Sequence, residues 1–125
     1  MPETTHPPSG QYPKPENAHH IDLVTAADEL LAKLPGHSRQ TRSLARESGV
    51  STILMAMEGG DALEEHSAAG VVTVQLMSGL INLSAGGTSF ELRPGQMVMI
   101  QAGVRHDVEA VAQSVILLTV TGGHD

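Results

Sequence analysis

Histidine, with the acidic residues close to it, is what this chain offers for chemistry. It has seven His and no Cys. A neutral imidazole can ligate a borderline metal or carry a proton near neutral pH. The lack of Cys excludes disulfide scaffolds, thiolate zinc sites and thiol catalysis. His6, His19, His20, His37 and His124 fall in the N-terminal stretch, after a short helical segment or in the tail, and read as surface residues. His66 and His106 lie inside the β-rich part of the chain. Asp61, Glu64, Glu65, Asp107 and Glu109 stand near them in sequence, and Gln75 and Gln101 offer amide oxygens. Glu64 precedes His66 by two positions and would share its face on a regular strand. Each of these acids and amides is more often a solvated group than a ligand.

Other candidate chemistry is weaker. Met55, Met57, Met77, Met97 and Met99 would suit a soft copper site. Their strand spacing fits core filling better, because Met packs irregular gaps. Ser43, Ser67 and Ser78 have no nucleophile-elbow context. The pairs Gly59-Gly60 and Gly86-Gly87 have no following Lys, so they are turns and not phosphate loops.

The elements that must position these residues can be read from patterning. Residues 1 to about 20 include Pro2, Pro7, Pro8, Pro13 and Pro15 among Ser, Gly, Asn and His. Such a composition buries too little to fold alone and reads as an extended arm that a partner subunit would hold. Residues 21–125 form the one expected domain. In it a helix is expected over residues 25–34, capped by Thr25 with Asp28 three positions on, and stopped by Pro35-Gly36. Ala27, Leu30, Leu31 and Leu34 give it an apolar stripe. From about Thr41 onward, Gly-containing turns separate short β-rich runs: Thr52–Met57, Val71–Met77, Leu80–Ser84, Thr88–Leu92, Met97–Gln101, His106–Val111 and Ser114–Thr121. Many short strands with regular turns indicate an all-β sandwich or barrel.

Three runs, Val71–Val74, Met97–Ile100 and Val115–Leu118, are apolar at every or nearly every position. A strand with one solvated face should alternate. These runs are therefore expected to be covered twice, by the barrel interior on one side and by the helix or a second subunit on the other, which predicts a homodimer. The run Gln40–Arg46 reads as an edge strand, with Arg42 and Arg46 at strand parity and Arg39 just before it. Charge that blunts an exposed edge explains it better than a patch for an anionic partner.

Composition bounds the partners. Net charge is -7, from 14 acidic residues against 7 Lys plus Arg, the wrong balance for a nucleic-acid binder. Tyr12 and Phe90 are the only aromatics besides His, so a base-stacking platform is excluded as well. No apolar stretch approaches the ~20 residues of a membrane span, and the N-terminus lacks a secretory pattern. A cytoplasmic location with no nucleic acid and no membrane partner is expected.

Two segments resemble a known family. GDALEEHSAAGVVTVQLMSG, from Gly60 to Gly79, and GQMVMIQAGVRHDVEA, from Gly95 to Ala110, are similar to the two motifs of the cupin superfamily. Gly60, His66 and Gly79 fit the first motif. Ala68 stands where its second histidine belongs and Val72 where its glutamate belongs. Gly95, Gly103 and His106 fit the second motif, with Gln101 in place of its proline and Ala110 in place of its asparagine. The resemblance spans about Val50 to Val120. It implies a double-stranded β-helix, the jelly-roll barrel of cupins, with one short N-terminal helix.

In cupin enzymes, as the resemblance implies, three His and one Glu hold a divalent transition metal. Here His66 and His106 remain of that set and are the candidate metal ligands. Two nitrogens make a weak site for most divalent metals. A third ligand would have to be recruited from the nearby acids or amides. Without metal, the pair could exchange protons, or each ring could simply be satisfied by a backbone carbonyl or water. Two functions follow as expectations. One is a barrel that binds a small molecule without standard cupin metal catalysis. The other is a metal-dependent dioxygenase or isomerase using His66, His106 and a recruited ligand.

Overall fold

A computed structural model describes residues 17–122. The greater part of the expected arm, residues 1–16, lies outside the described residues, as does His124. Within them, α1 (Leu23–Ala32) precedes nine strands: β1 (Arg39–Glu47), β2 (Val50–Met57), β3 (Ala62–His66), β4 (Val72–Ser78), β5 (Ile81–Ala85), β6 (Thr88–Leu92), β7 (Met97–Ile100), β8 (His106–Ala110) and β9 (Ser114–Val120). The helix starts two residues before the expected Thr25. Asp22 caps it instead, its carboxylate accepting from the Thr25 backbone N–H at 3.0 Å. That bond, reinforced by the Thr25 side chain, holds the Asp22 carboxyl below its ordinary value.

The strands form two antiparallel sheets. One has the order β1-β2-β9-β4-β7, the other β3-β8-β5-β6. This is an all-β arrangement, as the turn spacing indicates, and the jelly roll that the cupin resemblance implies. Alternation assigns the faces. In β4, Val72, Val74 and Leu76 turn inward and are buried, while Thr73, Gln75 and Met77 turn outward. In β8, His106, Val108 and Ala110 turn inward. The inner faces of both sheets meet in one core that includes Met55, Met57, Leu76, Ile81, Leu83 and Ile116. Aliphatic and Met side chains fill it, as a chain with so few aromatics requires.

A second cluster lies on the outside of the larger sheet. Ala26, Ala27, Leu30 and Leu34 from the helical segment pack on Leu54, Ala56 and Val115. The helix thus covers the outer face of β2 and β9, which explains why Val115–Leu118 is apolar on both sides. It does not reach β7. Met97 and Met99 are 53% and 64% exposed, against the expectation that they fill the core. Val98 and Ile100 take the inner positions of β7, and no described element covers the outer ones.

β1 is an edge strand, as read from its charges. A bulge between Ser43 and Ala45 breaks its parity, however, so that Arg42 lies opposite Leu54 and Arg46 opposite Ser51, on different faces. Arg42 pairs with Glu29 of the helix at 2.8 Å. Arg39 grips Asp61 with two bonds, of 2.9 and 3.0 Å. Arg39 and Arg42 thus tie β1 to neighbouring elements, and the bulge sets Arg42 and Arg46 on different faces.

Candidate functional site

The two candidate histidines sit on neighbouring strands of the smaller sheet. β3 and β8 run antiparallel, and the register places His66 directly opposite His106. Their ring centroids are 4.2 Å apart with planes inclined at 63°, an edge-to-face contact. Residues separated by forty positions in the sequence thus meet by strand pairing. His106 is buried, at 4% exposure, whereas His66 is exposed. The pair therefore spans from the interior to the surface.

Each ring is fixed by the same local bond. His66 Nδ1 lies 2.7 Å from the Glu64 carbonyl oxygen, and His106 Nδ1 lies 3.0 Å from the Val104 carbonyl oxygen. A carbonyl only accepts, so each Nδ1 must carry the proton and donate. In a neutral ring this leaves Nε2 with a free lone pair. No side-chain nitrogen or oxygen among the described residues is both sealed from solvent and without a partner. The Nε2 of buried His106 has no protein partner, so it opens onto free space.

Both imidazoles line a cavity of about 200 Å³ between the two sheets. From the smaller sheet, Leu63, His66, His106 and Val108 line it. From the larger, Val72, Val74, Leu118 and Val120 do so, and Ala68 closes it from the loop between β3 and β4. The four positions where the cupin resemblance places ligands are therefore all on this one wall system: His66, Ala68, Val72 and His106. Two carry imidazoles and two carry hydrocarbon.

None of the acids or amides considered as a third ligand lines the cavity. Glu64 does not share the face of His66, because the β3–β8 register shifts between Leu63 and His66. The bulge turns Leu63 and His66 inward together and leaves Glu64 exposed. Asp61 is held by Arg39, and Glu65 lies 3.1 Å from Arg105. Asp107 and Glu109 flank the inward positions of β8, and Glu109 is exposed. Gln75 belongs to the outer face of β4, opposite Met97, and Gln101 is exposed. Among the described residues no group of three or more His, Asp or Glu is placed to hold a metal. The donor set is two neutral nitrogens with no carboxylate, and it does not fit the divalent metal of the standard cupin centre. His19, His20 and His37 are surface residues, His19 bonded to Glu47 at 2.7 Å.

Sequence patterning alone had not singled out Leu63, Val74, Val108, Leu118 and Val120 as cavity walls. Val74 and Val108 follow from strand parity once Val72 and His106 are set inward; Leu118 and Val120 also need the β4–β9 register, and Leu63 depends on the bulge.

No protein-family model matches the chain, and no curated protein matches it. Solved structures do. A cupin superfamily protein from Desulfitobacterium hafniense superposes with a TM-score of 0.66 at 18% identity, over 75% of this chain and 89% of that one. A cupin-2 domain containing protein from Shewanella frigidimarina gives 0.65 at 19% identity, over 82% and 94%. A salicylate 1,2-dioxygenase from Pseudaminobacter salicylatoxidans gives 0.66 at 13% identity, over 76% of this chain and 31% of that one. Two antiparallel sheets closed around one cavity, the two motif segments in their places and these superpositions together make this a small protein of the cupin fold.

Proposed function

We propose that the protein binds a small molecule in the barrel and does so without the metal chemistry of standard cupins. The observation that carries this reading is the lining of the cavity. Seven hydrocarbon side chains and two imidazoles surround about 200 Å³, and two of the hydrocarbons occupy the family's ligand positions. A concave, mainly apolar space with a few convergent polar groups is the usual form of a small-molecule site.

The alternative is a metal-dependent enzyme, which has a precedent in the dioxygenase among the similar structures. It would need a third ligand at the cavity. The acids and amides close in sequence all lie elsewhere, so the binding reading has the better support.

Elemental analysis of untagged protein, purified in parallel with a His66→Ala, His106→Ala variant, tests the reading. The expected result is far less than one equivalent of any transition metal in both. Near-stoichiometric metal in the parent, lost from the variant, would overturn it.

A further inference from the structure

We infer that the ligand of this cavity is a small uncharged molecule that donates a hydroxyl hydrogen bond from an otherwise apolar body, in the manner of a phenol. The inference rests on the small-molecule reading above and adds the chemistry of recognition.

The first observation is the direction of the histidine bonds. Both Nδ1 atoms donate to backbone carbonyls, of Glu64 and of Val104. In neutral rings, both Nε2 atoms are then acceptors. The polar side chains that line the cavity are these two imidazoles, with ring centroids 4.2 Å apart, and in neutral rings with both Nδ1 atoms already donating they bring acceptors and no further donor. A ligand that fits must bring the proton. A hydroxyl does so, whereas a carboxylate, an ether or a ketone offers a lone pair to a lone pair.

Charge supplies the second. No Lys or Arg side chain lines the cavity, so with both imidazoles neutral nothing there offsets the charge of an anion. Glu64 and Glu65 stand beside His66 where the site meets solvent, in a chain of net charge -7. An anionic ligand would lose its hydration and gain no counter-charge. No carboxylate lines the cavity either, which leaves a cationic ligand equally unmatched.

Size is the third. A dry apolar cavity of about 150 Å³ holds a benzene ring, so the somewhat larger space here takes a body of about seven to nine non-hydrogen atoms. The walls, Val72, Val74, Val108, Leu118 and Val120, are aliphatic and branched, suited to the faces of such a body.

The test is a titration of the full chain with phenol, toluene and benzoate, followed through the backbone amides of Val74 and Val108. It is repeated on a His106→Leu variant and, at the exposed position, on His66→Leu. Phenol affinity is expected to fall about tenfold in His106→Leu, the worth of one buried hydrogen bond. Toluene, of the same size but without the donor, should change by less than about threefold on that accounting. Should His106→Leu fail to fold, His66→Leu carries the comparison with the same expected contrast. Equal responses of phenol and toluene would overturn the acceptor role while leaving the small-molecule reading in place. Preference of the parent for benzoate would do the same. Failure of all three probes to bind the folded parent at millimolar concentration would overturn the small-molecule reading itself.

Discussion

Ala68 and Val72 put hydrocarbon where the cupin resemblance places a histidine and a glutamate, and both face the same cavity as His66 and His106. If the backbone already presents four ligand positions, the missing chemistry is a matter of side chains alone. An Ala68→His, Val72→Glu variant is then expected to gain a metal site that the parent lacks. Val72 is 5% exposed, so a glutamate there is buried and should cost about 1–3 kcal/mol in the metal-free state. Added Zn²⁺, Mn²⁺ or Ni²⁺ should restore that loss and raise Tm in the variant, with no comparable shift in the parent. A variant that keeps its lower Tm with every metal would mean that the four positions do not converge. A second outcome at this scale concerns tautomers. Nitrogen chemical shifts of both rings in the neutral form should report a protonated Nδ1 and an imine Nε2. The opposite pattern at either ring would remove the acceptor pair.

Glycines and the helix cap act one level up, by placing elements. Gly60 and Gly79 both fit the first motif, but their surroundings differ. Gly60 has φ +93° and open space where a Cβ would lie, so Gly60→Ala should cost only the backbone strain, about 1–2 kcal/mol. Gly79 has φ +96°, and a Cβ there would collide with the backbone of Gln113 and Ser114. Gly79→Ala should therefore cost about 4 kcal/mol or more, or prevent folding, and urea unfolding of the two variants measures the contrast. Equal losses would mean that the close approach of the β4–β5 turn to β9 relaxes freely. The Asp22 cap gives a pH dependence. Its folded pKa is lowered, so its contribution is present above the ordinary carboxylate value and is lost as pH falls through the lowered one. The protection factor of the Thr25 amide, its exchange relative to the intrinsic rate at each pH, should fall over that acidic range in the parent. In Asp22→Asn, whose cap does not titrate, that fall should be absent.

These elements also show what patterning can and cannot reveal. Strand positions were legible, and an alternation such as Ile81-Asn82-Leu83 is written directly in the residue types, whereas Val71–Val74, read as apolar on both faces, proves to alternate, with Val72 and Val74 inward and Thr73 outward. Bulges were not. The shift in β3 moved Glu64 off the face of His66, and the one in β1 separated Arg42 from Arg46. Backbone partners were equally hidden. The carbonyls of Glu64 and Val104 that set both imidazoles belong to no side chain and leave no trace in residue type. The helix start was misplaced because Asp22 and Thr25 are both residue types that cap well, and residue type alone does not choose between them.

At the scale of the whole molecule, the uncovered face of β7 is the feature that the single chain leaves open. The helix covers β2 and β9, while Met97 and Met99 lie 53% and 64% exposed on the outer side of the edge strand. β7 reads Met-Val-Met-Ile and has no charge, proline or bulge, the devices that normally keep an edge from pairing. β1, the other edge of the same sheet, has Arg39, Arg42 and Arg46. In a chain of net charge -7, the uncharged edge is where two copies approach with least repulsion. We propose that β7 pairs with its own copy about a two-fold axis, which would join the two larger sheets, bring the methionines of both copies together on one outer face and form the homodimer expected from the sequence. Sedimentation at micromolar concentration should then give about twice the 13.1 kDa of one chain. A Met99→Lys variant places a charge at the two-fold edge and should shift the species to monomer, with the far-ultraviolet spectrum unchanged. A parent that sediments as a monomer would refute the dimer and leave the exposed methionines without a partner. A dimer indifferent to Met99→Lys would locate the interface elsewhere. Since the cavity walls come from β3, β4, β8 and β9 and not from β7, ligand binding should survive in the monomeric variant.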